Sequence, residues 1–234
     1  MKKSKAILMA LCAVLLVAAS VMGTLAYLTS TDTVTNTFTV GKVAITLDET
    51  DVDINGVKDT ETRVQENDYK LMPGHEYVKD PIVHVAAGSS DCFLFVKVDN
   101  QIAAIEDENN TVAGQMKANG WLPVDGKPGV YVLTYTEKDK TDVETGSVVV
   151  GALKVVSAAA AQVNVPVFEK FKIADDVNNE ENVVVEGENP TTVSNDRQLS
   201  KFDNSQIIVT AYAVQADGFD GKTAAQIWTA ANFT

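Results

Sequence analysis

Apolar and polar residues alternate along many short runs of this chain, and a period of two is the signature of β-strands. Residues 91–99 (DCFLFVKVD) show it well. Leu94, Val96 and Val98 share one face; Phe93, Phe95, Lys97 and Asp99 share the other. The first is a core face, and the second, half aromatic and half charged, suits a sheet edge or a contact surface. Residues 205–216 (SQIIVTAYAVQA) are apolar on both faces and read as a strand buried between two layers. Further runs occupy residues 34–40, 42–48, 82–86, 130–136, 147–156, 163–173 and 183–186, with Pro166 marking an edge or bulge. Turn pairs such as Asn55-Gly56, Pro73-Gly74, Asp125-Gly126 and Asp220-Gly221 separate them. About nine short strands with such punctuation predict an all-β fold, an antiparallel sandwich.

Helix is scarce. In residues 223–232 (TAAQIWTAAN), Ala224, Ile227 and Trp228 fall on one face, which predicts a short helix packing Trp228 onto the sheet. Residues 113–119 predict a second short helix. Residues 177–196, rich in Asn and Glu and containing Pro190, read as a surface excursion with one short strand. No linker or repeat is visible, so residues 27–234 form one predicted domain.

The chain opens with Lys2, Lys3 and Lys5, followed by a run from residue 6 to 22 that is apolar except for Ser20. Thr24 and Ala26 then place small residues three and one positions before a cleavage point between Ala26 and Tyr27. This is the pattern of an export leader, residues 1–26. An uncleaved anchor is the rival reading, because roughly 20 apolar residues span a bilayer. Gly23 and Thr24 end the run, and no basic stop-transfer cluster follows, which favours cleavage. The expected workplace is therefore outside the cytoplasm.

Acidic residues number 32 against 19 basic, for a net charge of −13, and loss of the leader removes three Lys and no acid. Such a surface repels phosphates, which excludes nucleic acid as a partner. Cys12 lies in the leader behind Leu11, where lipidation requires a small residue. Cys92 is then the one mature cysteine, beside Phe93-Leu94-Phe95, and is expected to be a buried, inert thiol. Without disulfides, the apolar core must hold the fold.

Several segments resemble the TasA/camelysin family of secreted proteins from Gram-positive bacteria. They are the leader with Gly23-Thr24-Leu25-Ala26-Tyr27-Leu28-Thr29, then Asn36-Thr37-Phe38-Thr39-Val40-Gly41-Lys42-Val43. Leu71-Met72-Pro73-Gly74 with Lys79-Asp80-Pro81, and the closing stretch from Ala211 to Phe219, are similar too. The resemblance implies a jelly-roll-like β-sandwich and a leader removed by a SipW-type signal peptidase. It also implies a structural role in extracellular or biofilm-matrix fibres, in which the freed N-terminal strand pairs with copies of itself or related subunits.

The composition of residues 27–40 (YLTSTDTVTNTFTV) fits that role by itself. Asp32 is its single charge, and Val34, Asn36, Phe38 and Val40 alternate with threonines. High β propensity with no Pro and almost no charge describes a strand able to add to another chain's edge. The plainer alternative is the first strand of its own sheet.

Other chemistries meet less support. Asp51, Asp53, Asn55 and Asp59 match the opening of a calcium loop, but Thr62 stands where a bidentate Glu is needed, and Glu61 comes one place early. An acidic hairpin tipped by Asn55-Gly56 accounts for the same residues. Camelysin relatives have been classed as metallopeptidases, yet this chain offers only His75 and His84 and no H-E-x-x-H helix. No G-x-S-x-G is present for a serine hydrolase. Trp121, Tyr131 and Tyr135 offer stacking faces for a carbohydrate-binding alternative, or ordinary core aromatics.

Overall fold

A computed structural model describes residues 42–140, 149–177 and 197–233. The described chain is all-β and antiparallel, with two short α-helices. Its eleven strands are β1 (Ile45–Val52), β2 (Lys58–Val64), β3 (Glu76–Val78), β4 (Ile82–Val85) and β5 (Ser89–Asn100), then β6 (Trp121–Pro123), β7 (Val130–Leu133), β8 (Val155–Ala158), β9 (Val163–Pro166), β10 (Lys170–Lys172) and β11 (Ile207–Gln215). The helices are α1 (Val112–Ala118) and α2 (Ala224–Ala230).

One sheet runs in the order β2-β1-β4-β9. The second has β11-β5-β7-β6 with β8 also paired to β5, and β3 and β10 make a two-stranded ribbon. The two larger sheets share an apolar core to which Val83 and Val85 of β4 and Leu94, Val96 and Val98 of β5 contribute. Along one flank the chain passes between these sheets twice, from β4 to β5 and from β8 to β9. On the other flank β1 and β11 face one another without pairing.

The core face expected for residues 91–99 is present; of the two settings expected for the other face, the sheet edge is absent and a contact surface, against α2, is present. β5 is central, with β11 on one side and β7 and β8 on the other. Phe93 and Phe95 are buried in a second apolar cluster with Val130, Val132, Ile227 and Trp228. Helix α2 supplies that cover. Its start is fixed by a capping box in which Thr223 and Gln226 satisfy each other's backbone N–H groups. Trp228 packs edge-on against Phe95 and Tyr212, at ring separations of 5.6 and 5.0 Å. Trp228→Ala is expected to cost about 3–5 kcal/mol, the loss typical of a buried Trp, as read by denaturant unfolding.

Other expectations need correction. Residues 205–216 do pack on both faces, Ile207, Val209, Ala211 and Ala213 against the core and Tyr212, Val214 and Ala216 against the cluster under α2, but they are not buried: among the described residues β11 pairs with β5 alone, its side chains are partly exposed, and Ile208 is 44% exposed. Within 147–156, the described residues first form a turn, Leu153 then makes an isolated antiparallel bridge to Thr134, and the strand itself begins only at Val155. The 163–173 run divides at Pro166 into β9 and β10, which belong to different sheets. Pro166 does end a strand at a sheet edge, as its missing N–H requires. The 34–40 and 183–186 runs lie outside the described residues.

Candidate functional site

The unjoined flank forms a groove of about 1430 Å³. Ile45 and Leu47 line it from β1, and Ile207, Val209 and Ala211 from β11. Ile102, Phe171 and Leu199 form part of its floor. These β11 side chains form one of the two apolar faces of the strand and are only partly buried against the core.

Both walls present unpaired strand edges among the described residues. β11 pairs with β5 alone. Gln206 C=O accepts from Gln101 N–H and Ala216 N–H donates to Asp91 C=O, so the even-numbered residues of β11 direct their backbone polar groups towards β5. Ile207, Val209, Ala211 and Ala213 therefore direct theirs outward. In β1, Ala44 C=O accepts from Ala86 N–H on the β4 side, so Ile45 and Leu47 direct theirs away from β4. β2 covers β1 only from Glu49 onward. The groove thus offers an apolar floor and backbone donors and acceptors on two sides, which is what an extended peptide needs.

Two other edges, β2 and β6, are protected in ways common to sheet proteins. β2 (KDTETRV) is charged, and its Arg63 bonds to Asp48 and reaches Asp80 at 3.2 Å. β6 spans three residues and ends in Pro123.

One end of the groove is polar. Glu49 is 3% exposed, and Lys79 and Asn67 both contact it. Nearby, His84 meets Asp48 through Nε2 at 2.9 Å and Asn164 Oδ1 through Nδ1 at 2.7 Å. Burial alone would raise the Asp48 carboxyl, but the hydrogen bonds from Arg63 and His84 prevail and hold it below its usual range. A depressed carboxyl contributes stability above its unfolded pKa and loses it as pH falls through the folded value. Asp48→Asn is therefore expected to destabilise the protein at pH 7, with the deficit shrinking below about pH 4. Urea unfolding of both proteins at pH 7 and pH 3 reads this out.

The residues singled out in the sequence are dispersed. Ala26, Tyr27, Val34, Asn36, Phe38 and Val40 lie outside the described residues. Asp53 caps its own turn, its carboxylate accepting from Asn55 N–H and Val57 N–H at 2.9 Å each, and Asp51 accepts from Thr62. The expected β1–β2 hairpin is present, with Asn55-Gly56 in its turn and Gly56 at φ +73° against Tyr77. The Asp59 side chain is outside the described set.

His75 contacts Asn55 C=O through Nε2 at 2.8 Å and packs on Tyr77. It and His84 occupy separate settings, and no group of three metal-ligating side chains gathers among the described residues. Trp121 is fully buried and donates to Pro166 C=O at 2.9 Å, which removes it as a stacking face for sugars. Tyr131 is partly buried against the core, and Tyr135 lies under Lys154. Cys92 is buried, and burial pushes its thiol up to about 11, leaving it protonated and unreactive at neutral pH. Neither the groove nor the Glu49 cluster was anticipated from the sequence, since both join segments far apart in it.

No family model matches this chain, and neither a curated protein nor a solved structure matches it.

Proposed function

We propose that this protein is a secreted structural subunit of extracellular fibres, of the TasA/camelysin kind, whose residues 27–40 pair as a strand in the groove of the next copy. The observation that carries the reading is the groove between β1 and β11, which has an apolar floor, a polar end and two edges unpaired among the described residues. Residues 27–40 complement it in chemistry: alternating, nearly uncharged and free of Pro. In this reading the fold is a jelly-roll-like sandwich that lacks one strand of its own.

Lys42 C=O accepts from Ser90 N–H, and Ala44 N–H donates to Ser89 Oγ, so the described chain enters β1 from beside the start of β5. β1 then runs inward along the groove. Removal of leader residues 1–26 by a SipW-type signal peptidase would release the segment only after export, so that assembly waits until the cell surface or matrix is reached.

The metallopeptidase reading has no gathered ligand set to support it among the described residues, and the carbohydrate reading loses Trp121. Electron microscopy of purified protein beginning at Tyr27 tests the proposal. Fibres of repeating subunits are expected; dispersed particles at every concentration would refute it.

A further inference from the structure

Glu49 on β1, Asn67 after β2 and Lys79 after β3 meet at the polar end of the groove. The Glu49 and Lys79 side chains are 4% and 11% exposed. Lys79 Nζ lies 2.6 Å from Glu49 Oε2, and Asn67 Nδ2 donates to Glu49 Oε1 at 2.9 Å. One carboxylate thus touches an amine with one oxygen and a carboxamide nitrogen with the other. The carboxamide is held on every side: Oδ1 accepts from Val52 N–H at 3.1 Å, and Nδ2 also donates to Thr50 C=O at 2.9 Å. The Tyr69 ring lies against the lysine, 5.9 Å from Nζ to its centroid, and its hydroxyl donates to Val78 C=O.

We propose that Lys79 and Asn67 become joined by an intramolecular amide bond, with Glu49 as the proton carrier. A proton first passes from Lys79 Nζ to Glu49 Oε2, replacing a buried ion pair by a neutral amine and a neutral acid and so removing two charges from a poorly solvated site. The Nζ lone pair attacks Asn67 Cγ. The electron pair of the C=O moves to Oδ1, where Val52 N–H stabilises the developing charge. Glu49 delivers its proton to Nδ2, the Cγ–Nδ2 bond breaks, and ammonia leaves. A second Nζ proton departs with it as ammonium, and Glu49 is left as a carboxylate. One C–N bond replaces another, so neither oxidant nor external reactant is required.

The bond would close the segment from Asn67 to Lys79, which contains Pro73-Gly74 and β3, into a covalent ring at the end of the groove. It does not depend on what occupies the groove. A plain ion pair of Lys79 with Glu49, beside a hydrogen-bonded Asn67, is the unreacted alternative. Mass differs between the two.

Mass spectrometry of a digest of the full chain decides. The expected product is a branched peptide containing Asn67 and Lys79, lighter than its two parts by one ammonia. Glu49→Gln and Lys79→Arg should each return the two peptides unlinked and at full sequence mass. Unlinked peptides from the unaltered protein would overturn the proposal. So would an ammonia loss confined to the Asn67 peptide, which marks ring closure at Asn67-Asp68 instead. The digest of the unaltered protein is decisive even if a variant fails to fold.

Discussion

Deleting residues 27–40 is expected to abolish fibre formation while leaving a soluble, folded monomer. The fold survives because a continuous core is contributed by strands beyond Lys42, among them β4, β5 and β8 with Val83, Val85, Cys92, Leu94, Val96 and Val156. Assembly fails because the contact between subunits is concentrated in one segment. Burying Val34, Phe38 and Val40 is worth roughly 1.5–3 kcal/mol each, so their joint loss exceeds about 4 kcal/mol, a factor of about a thousand in association. Backbone pairing adds to this. Sedimentation and electron microscopy measure the outcome, and a truncated chain that still polymerises would rule out strand donation.

Ala211→Pro should remove the acceptor without touching the donor. The odd-numbered residues of β11 point their N–H groups away from β5, so Pro at 211 deletes an outward donor and leaves the β5 ladder whole. Ala211 is half-buried and small, so little packing is lost. The variant is expected to stay monomeric alone. Mixed with unaltered protein, it still offers residues 27–40 and should cap growing ends, shortening fibres at a few per cent of the total. Mixing it with the 27–40 deletion should yield dimers and nothing longer, since one partner can only give a strand and the other can only take one. Fibres of unchanged length in its presence would place the acceptor elsewhere.

What the sequence revealed depended on how local the signal was. The alternation in 91–99 located β5 and its core face, and the Thr223 cap with Ile227 and Trp228 located α2, because each is written within one element. β2 escaped notice since KDTETRV is charged, and β3 and β6 are three residues each, too short for a period to register. β11 was read correctly as packed on both faces, but its partial exposure was missed for a different reason. Apolar side chains on both faces signal burial, but whether a strand has one neighbour or two is decided by partners distant in sequence, here β5. The groove follows from that same non-local fact. Residues 27–40, by contrast, declare their suitability as a donor by composition alone. The cluster of Glu49, Asn67 and Lys79 carries no spacing motif and emerges only where the middle of β1 meets the segments that follow β2 and β3.

The most direct test places a photoreactive amino acid at position 38, in the middle of the proposed donor strand. Two isotopically distinct preparations are mixed, assembled and irradiated, and the linked peptides identified. The account predicts links from residue 38 to β11 or β1, around Val209 or Leu47, joining heavy chains to light ones. Links found only within single chains would show that each molecule fills its own groove, and strand exchange would be contradicted.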